Sequence, residues 1–370
     1  MRFIQPRPAW AKRAVPRNRS LQLPFRVWHV LHRYAHHAGP SGYDRLCDFV
    51  GEEIEVGRAL YYAGETLLRP LALLDARFGG QYEYSRYDWV LERALMRQMR
   101  KSRKALFHVL YGEKNYKHAW RVADVNGNKL IATLHYPPEH YDRIFRSKRH
   151  LQFLSHAIVM GEELKLFAET MVGSGRVTVV PYGVDVDYFT PLNSRERTGP
   201  PVILFAGFHL RDYDTLARVV DIVLRGHSSA EFVLISNDPR CEALGRQHPQ
   251  RVRRLERLSD QEYRRVLQNS DLMTLPLEGS VAVTAALEAM ACGVPILTTE
   301  GGIRDYVLPD AGLVFPRRDA EGMGHAALQI LRDEALLSNL KARTRLQALR
   351  FAWPLIAERT AEVYRRVMSC

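Results

Sequence analysis

The sequence predicts an α/β protein of two domains, each a parallel sheet wound with helices. Two observations carry this reading. Short apolar runs that read as buried strands alternate with helix-favouring segments, most clearly from Val202 to Phe315. A polar stretch closing on Pro200-Pro201, residues 192–201, interrupts the alternation and reads as a linker. A chain of 370 residues has material for two separate cores.

The hydrophobic fraction of 46% and charged fraction of 25% are those of an ordinary soluble protein. The net charge of +12 is not ordinary, and it points to an anionic partner: nucleic acid, a phosphorylated substrate or an acidic membrane surface. Cys47, Cys241, Cys292 and Cys370 are scattered, which argues against a disulfide framework or a cysteine zinc site and favours a reducing compartment. No uncharged apolar run approaches the roughly 18–20 residues of a membrane span, and no signal peptide is read at the N-terminus. The expectation is a cytoplasmic protein whose basic surfaces make peripheral contact with the inner face of a membrane.

Residues 1–24 form a basic arm, with six basic residues in the first twenty and four prolines by Pro24. The first domain is expected over residues 25–191. Phe25–Tyr34 reads as its first strand, His36–Tyr43 as a glycine-rich turn and Asp44–Val50 as the start of a helix. Strand, glycine turn and helix make a phosphate-compatible loop, although the motif is not GxGxxG. His29, His32, His36 and His37 are not read as a metal site. His29 and His32 fall on opposite faces of a strand, and no carboxylate pattern joins them.

Residues 51–87 read as mixed and mostly helical, broken at Gly79-Gly80. A helix over Asp88–Lys104 carries Arg93, Arg97, Arg100, Lys101 and Lys104, mostly near one face. That face is either solvated or suited to an anionic membrane. Ala105–Tyr111 and Lys129–Leu134 read as buried strands. His135 lies just past the second, where an open α/β sheet meets its ligand crevice. It is therefore the best histidine candidate, the alternative being a hydrogen-bonded structural histidine. Glu113, at the equivalent end of the earlier strand, is a weaker candidate. Asp185-Val186-Asp187 reads as turn and cap residues rather than a metal-binding DxD.

The second domain is expected over residues 202–350, with a terminal helix, residues 353–370, packing back on the first. Its chemistry concentrates in Pro276–Tyr306. A strand, Leu272–Leu277, leads through a small-residue loop into an Ala-rich helix, Thr284–Cys292, whose one acid is Glu288. Free N–H groups and the helix dipole at such a junction suit an anion. A carboxylate one turn further on can hold hydroxyls. Together they suit a nucleoside diphosphate with its ribose.

Three segments now bear on a family. VPYGVDVDYFTP (Val180–Pro191), ALEAMACGVP (Ala286–Pro295) and GGIRDYV (Gly301–Val307, with Asp305 in the acidic position) resemble motifs of GT-B-fold retaining glycosyltransferases of the family 4 type, the glycosyl transferases group 1. Phe351–Tyr364 resembles that group's terminal crossing helix. The resemblance implies two Rossmann-like domains facing each other across a cleft, with a nucleotide-sugar donor held mainly on the second. Glu288 matches the final Glu of the E-x7-E motif, which binds the ribose. Backbone amides near Val283 and Thr284 match the diphosphate contacts. Gly39, Ser41 and Gly42 correspond to the glycine loop at the reacting end, and His135 to a histidine bordering the donor sugar.

The chain also departs from that pattern. The first Glu of E-x7-E falls on Ser280, so either Glu278, two residues earlier, turns in to replace it or the sugar-hydroxyl contact is lost. The usual GR…K pair is replaced by Gly207–Asp212. There Arg211 is expected to stabilise the departing diphosphate, assisted by His209. The competing reading pairs Arg211 with Asp212 or Asp214 on the surface.

The expected activity is metal-independent transfer of a sugar from a nucleotide-diphosphate sugar to a carbohydrate or lipid-linked acceptor, with retention and with no cofactor beyond the co-substrate. A sugar-nucleotide epimerase of the same fold and a catalytically degenerate binding protein are the alternatives. Nucleic acid is not expected as a partner, because no recognised module appears and the basic residues are not interleaved with stacking aromatics.

Overall fold

The computed structural model describes residues 21–31, 39–54, 56, 62, 66, 69–78, 81, 84–192 and 199–369. The basic arm through residue 20, His32, His36, His37, Gly79-Gly80 and residues 193–198 of the expected linker lie outside the described residues. The chain forms two compact units, one running up to Tyr182 and resuming at Trp353, the other Gly183–Ala352. Each has its own six-stranded sheet.

The first unit's strands are β1 (Val27–Val30), β2 (Glu52–Glu53), β3 (Leu106–Val109), β4 (Lys129–Leu134), β5 (His156–Val159) and β6 (Val177–Val179), in the order β2-β1-β3-β4-β5-β6 and all parallel. β3 and β5 are buried along their whole length, as expected where both faces of a parallel sheet are covered. β2 corrects the sequence reading of its region as mostly helical: two acidic residues carry no strand pattern. The helix expected at Asp44–Val50 is a 3-10 helix, Tyr43–Asp48.

Among the described residues, three longer helices accompany this sheet: α1 (Arg69–Phe78), α2 (Arg86–Lys101) and α3 (Glu162–Val172). α2 starts two residues earlier than expected because Ser85 and Asp88 form a capping box. It buries Leu91, Leu95 and Met99 and leaves Arg93, Arg97, Arg100 and Lys101 exposed.

The second unit runs β7 (Val202–Ala206), α4 (Tyr213–Gly226), β8 (Glu231–Ile235), α5 (Pro239–Gln247), β9 (Val252–Leu255), α6 (Asp260–Gln268), β10 (Leu272–Leu275), α7 (Thr284–Ala291), β11 (Ile296–Thr299), β12 (Gly312–Phe315), α8 (Ala320–Arg332) and α9 (Glu334–Leu349). The order β12-β11-β10-β7-β8-β9 is the doubly wound arrangement, whose direction reverses between β7 and β10. Its core includes Phe205, Leu216, Val220, Phe232 and Leu297, all fully buried. Each such side chain contributes roughly 1.5–3 kcal/mol on leaving water. α5 is absent from the sequence reading. Its composition is largely polar, and its start is marked only by the Asp238 cap and Pro239. α8 and α9 are separate helices because Asp333 ends α8 and its side chain accepts the Leu336 N–H to start α9.

Residues 183–191, grouped by the sequence with the first domain, are stitched into the second unit. Arg345 donates to the carbonyls of Phe189 (2.9 Å), Ala291 (2.7 Å) and Val186 (3.0 Å). Asp185 Oδ1 accepts the N–H groups of Asp187 (3.2 Å) and Tyr188 (3.0 Å), so the first aspartate of the DVD triplet is a turn residue.

The last helix, α10 (Trp353–Ser369), belongs to the first unit. Trp353 packs with Tyr43 and Tyr182, ring centroids 5.9 and 5.7 Å away. Deeper in, the Tyr364 hydroxyl shares hydrogen bonds with His29 Nε2 (3.0 Å) and His108 Nδ1 (2.6 Å), and His108 Nε2 reaches Thr133 Oγ1 (2.7 Å). His29 and His108 are register partners on β1 and β3. His29 is thus a core residue. Among the described residues, no group of three or more His, Cys, Asp or Glu could hold a metal ion, and no helix is long and apolar enough to cross a membrane.

Candidate functional site

The reversal point of the second sheet is where its strand ends open a crevice. β7 ends at Ala206, and the chain turns through Gly207, whose φ is 96°. A Cβ at Gly207 would collide with Arg211 Nη2, so the position requires glycine on two counts. Leu210, also in the left-handed region at φ 54°, returns the chain into a short antiparallel ladder. In that ladder Arg211 bridges Leu277, Asp212 N–H donates to the Pro276 carbonyl (3.0 Å) and Glu278 N–H donates to the Leu210 carbonyl (3.0 Å).

The Arg211 side chain is only 9% exposed. Its Nε–H donates to the Ala206 carbonyl at 3.0 Å and its Nη1 to the His209 carbonyl at 2.8 Å. Burial pulls its pKa down to about 10, which leaves it charged at neutral pH. Among the described residues no carboxylate forms an ion pair with it. This corrects the surface-pair reading: Asp212 instead accepts the Thr215 N–H (3.0 Å) and hydroxyl (2.7 Å), capping α4. Asp214 is exposed, as is the His209 side chain.

Beside this ladder, β10 leads into α7. The N-cap residue is Val283, so no side chain caps the helix, and Thr284 opens its first turn. The leading N–H groups of a helix have no intrahelical acceptor. Glu288, one turn in, is 4% exposed, and its Oε2 accepts the Tyr263 hydroxyl at 2.7 Å. Burial raises the Tyr263 pKa well above its ordinary value, and the adjacent Glu288 charge adds to this. Tyr263 is absent from the sequence reading. Its one signal is being the sole aromatic of a polar helix, DQEYRRVLQ.

Ser280 is buried and has structural work. Its Oγ accepts the Ile303 N–H (3.2 Å) and its carbonyl the Gly302 N–H (3.0 Å). Gly301, at φ 141°, lies so close that an added Cβ would sit 2.8 Å from Ser280 Oγ. The serine thus braces the Gly301-Gly302 turn. Glu278 does not turn in to replace the missing acid. Its side chain is exposed and lines a cavity of about 750 Å³ with Asp212, Leu277 and Arg218.

In the first unit the structure brings together two of the predicted features. Gly39 is exposed and Ser41 buried, while Gly42 (φ 107°) opens the 3-10 helix that begins with Tyr43. The Tyr43 ring meets His135 edge-on, centroids 5.1 Å apart, and Tyr111 stacks on His135 at 4.7 Å. His135 is half-buried just past β4, and its Nε2 donates to the Leu110 carbonyl at 2.6 Å. Burial lowers its pKa to about 4, against the upward pull of that carbonyl, so the ring is neutral at pH 7.

Glu113 holds this corner. Its Oε1 accepts the N–H groups of His135 (2.5 Å) and Tyr136 (3.1 Å) and the Tyr141 hydroxyl (2.8 Å). Burial raises its pKa, while those hydrogen bonds oppose the rise.

Residues 200–333 match the family described as glycosyl transferases group 1. A D-inositol 3-phosphate glycosyltransferase of Kineococcus radiotolerans is 31% identical over 234 residues, 52% of this chain and 52% of that protein. A glycogen synthase of Mycobacterium tuberculosis is 29% identical over 206 residues, 52% of this chain and 49% of that protein. The chain spans about half the length of the curated relatives it matches. Among solved structures, Anabaena HepE in complex with UDP and glucose superposes with a TM-score of 0.62 at 14% identity, covering 92% of this chain and 99% of that one. A glycosyltransferase from Rickettsia africae gives 0.64 at 12% identity, covering 93% and 98%. At such identity the likeness is one of fold.

Proposed function

We propose, from the match of residues 200–333 to the glycosyl transferases group 1 and from the likeness of fold, that the chain transfers a sugar from a nucleoside-diphosphate sugar to a carbohydrate or lipid-linked acceptor. The observation that carries this reading is the junction of β10 and α7. A buried carboxylate, Glu288, stands one turn inside an uncapped helix start, and the buried, acid-free guanidinium of Arg211 is set on the adjoining ladder.

In this reading Glu288 accepts the ribose hydroxyls. An ionised carboxylate has acceptor sites beyond the one Tyr263 uses, and charged hydrogen bonds are the stronger kind. The Val283–Thr284 amides take the diphosphate, where the dipole favours negative charge. Arg211 and the helix start meet the charge that builds on the leaving diphosphate, so no metal is called for. His209, at the rim of the Arg211 loop, assists at the phosphate end. Within the first unit, the Gly39–Gly42 turn and neutral His135, whose ring meets Tyr43, are the sugar-binding groups of this reading. Retention of the anomeric configuration goes with the family.

The partner surface in this reading is an anionic membrane. α1 leaves Leu71, Leu73 and Leu74 exposed and packs on α2, whose Arg93, Arg97, Arg100 and Lys101 are also exposed. Apolar insertion beside basic charge is the chemistry of interfacial binding. Co-sedimentation with vesicles of anionic but not zwitterionic phospholipid, weakening with salt, checks it.

The test of the activity measures release of nucleoside diphosphate from a panel of nucleotide sugars, with and without acceptors. Acceptor-dependent release, lost in Glu288→Ala and Arg211→Ala, supports the reading. Conversion of the nucleotide sugar without acceptor would mark an epimerase. Nucleotide binding without turnover would mark a degenerate binding protein. Absence of nucleotide binding by calorimetry would overturn the site assignment.

A further inference from the structure

The ladder joining residues 210–212 to 276–278 has a second use. Arg211 turns its guanidinium inward to the Ala206 and His209 carbonyls, while its neighbour Asp212 and the facing Glu278 line the cavity of about 750 Å³ in the second unit. That volume is of ligand size. The rest of the wall comes from the start of α4 (Asp214, Thr215, Arg218) and from the turn after β12 (Arg317, Arg318). Arg318 is held at φ 67°, a left-handed backbone that non-glycine residues adopt only at a cost. The turn thereby sets two consecutive arginines on one wall.

The chemistry of this wall narrows its occupant. Among the described residues, Leu277 is the one apolar side chain of the wall and no aromatic ring lines the cavity, so they offer no stacking surface to a nucleobase. Asp212 is committed to Thr215, and Arg218 also meets Glu321 at 3.5 Å. Two adjacent guanidinium groups suit a phosphate, which they bind through forked charged hydrogen bonds. The carboxylates of Asp214 and Glu278 are acceptors for hydroxyl groups. We propose that this cavity is a second ligand site, distinct from the proposed donor site, and that it takes a sugar phosphate. The phosphate sits on Arg317 and Arg318, and the sugar hydroxyls meet Glu278 and Asp214.

The site is wired to the Arg211 loop. The Glu278 N–H holds the Leu210 carbonyl, and the Asp212 N–H holds the Pro276 carbonyl. A ligand that draws on Glu278 therefore acts on the loop that positions Arg211. That consequence rests on the function proposed above; the binding itself does not.

The test is calorimetric titration of the full chain with mannose 6-phosphate, and with mannose and inorganic phosphate as its two halves. UDP, GDP and ADP report on the donor site. Mannose 6-phosphate is expected to bind more tightly than either half. Replacing Arg317 and Arg318 together by Ala should weaken it by roughly tenfold or more, since each removes charged hydrogen bonds. Nucleotide binding by the same variant should persist. Glu288→Ala should do the converse, losing nucleotide and keeping the sugar phosphate. Arg317→Ala and Arg318→Ala singly, each at an exposed position, repeat the test should the double variant fold poorly. No binding of mannose 6-phosphate, binding unchanged in the arginine variants, or binding no tighter than inorganic phosphate would overturn the proposal. So would joint loss of both ligands in a folded arginine variant, which would make the two sites one.

Discussion

Tyr263 donates its hydroxyl to Glu288 Oε2 at 2.7 Å, across 25 residues, and so fastens α6 to the buried face of α7. Removing that hydroxyl leaves a buried carboxylate one donor short, which costs about 1–3 kcal/mol. Tyr263→Phe should therefore lower the denaturation midpoint by a corresponding amount. It should also weaken nucleoside diphosphate binding, because the carboxylate is no longer held in place. Unchanged nucleotide affinity with lowered stability would assign Tyr263 to packing alone.

Arg211 both braces its loop and supplies charge. Arg211→Ala should reduce the rate of transfer roughly 100- to 1,000-fold, the usual consequence of losing one preorganised charge stabiliser. Arg211→Lys keeps the charge but cannot bridge the Ala206 and His209 carbonyls through a planar fork, so it should recover only part of the rate. Full activity in Arg211→Lys, measured as kcat, would show that the loop bonds are incidental.

Ser280 falls where the E-x7-E resemblance implies an acid, and here it accepts the Ile303 N–H. Ser280→Ala should cost about 0.5–1.5 kcal/mol in chemical denaturation. Ser280→Glu forces a longer side chain against Gly301 in a buried position, and overpacking costs about 1–3 kcal/mol. It should lower the melting temperature without raising turnover. A gain in transfer rate would show that the site tolerates the family's acid.

The first unit should weaken in mild acid. Burial lowers the pKa of His135, His150 and His156 from 6.5 to about 4, and it holds that of His108 well below the ordinary value too. Between those values the unfolded chain binds protons that the folded chain refuses, so stability falls as pH drops. The stabilisation is complete above pH 6.5 and is lost progressively toward pH 4. Calorimetric melting at pH 7 and pH 5 should show the first unit's transition moving down. An unmoved transition would mean that these rings titrate alike in both states.

The alternation of strands and helices was legible because strands buried on both faces must be continuous apolar runs. VILFA, EFVLI and LMTL read as strands because each is too short for a helix and two of them are rich in β-branched and aromatic residues. β2 was not legible, since Glu52-Glu53 owes its strand character to pairing with β1 rather than to its own residues. α5 and the break at Asp333 depend on single capping aspartates within polar sequence. Glu288 stood out as one acid amid Ala, Leu and Met. The inward turn of Arg211 did not, because it needs a left-handed Leu210 and a ladder partner 66 residues away. Glu113 could be placed at a strand end from sequence, but its three donors come from residues whose convergence only the fold creates.

The bonds from Tyr364 to His29 and His108 span 335 and 256 residues. During synthesis β1 and β3 leave the ribosome with their histidines lacking that hydroxyl, and the whole of residues 183–352 is made before it arrives. The second unit, continuous in sequence, can therefore fold while the first is still waiting, reversing the usual N-terminal-first order. The half of the molecule that is begun first is the half that is finished last.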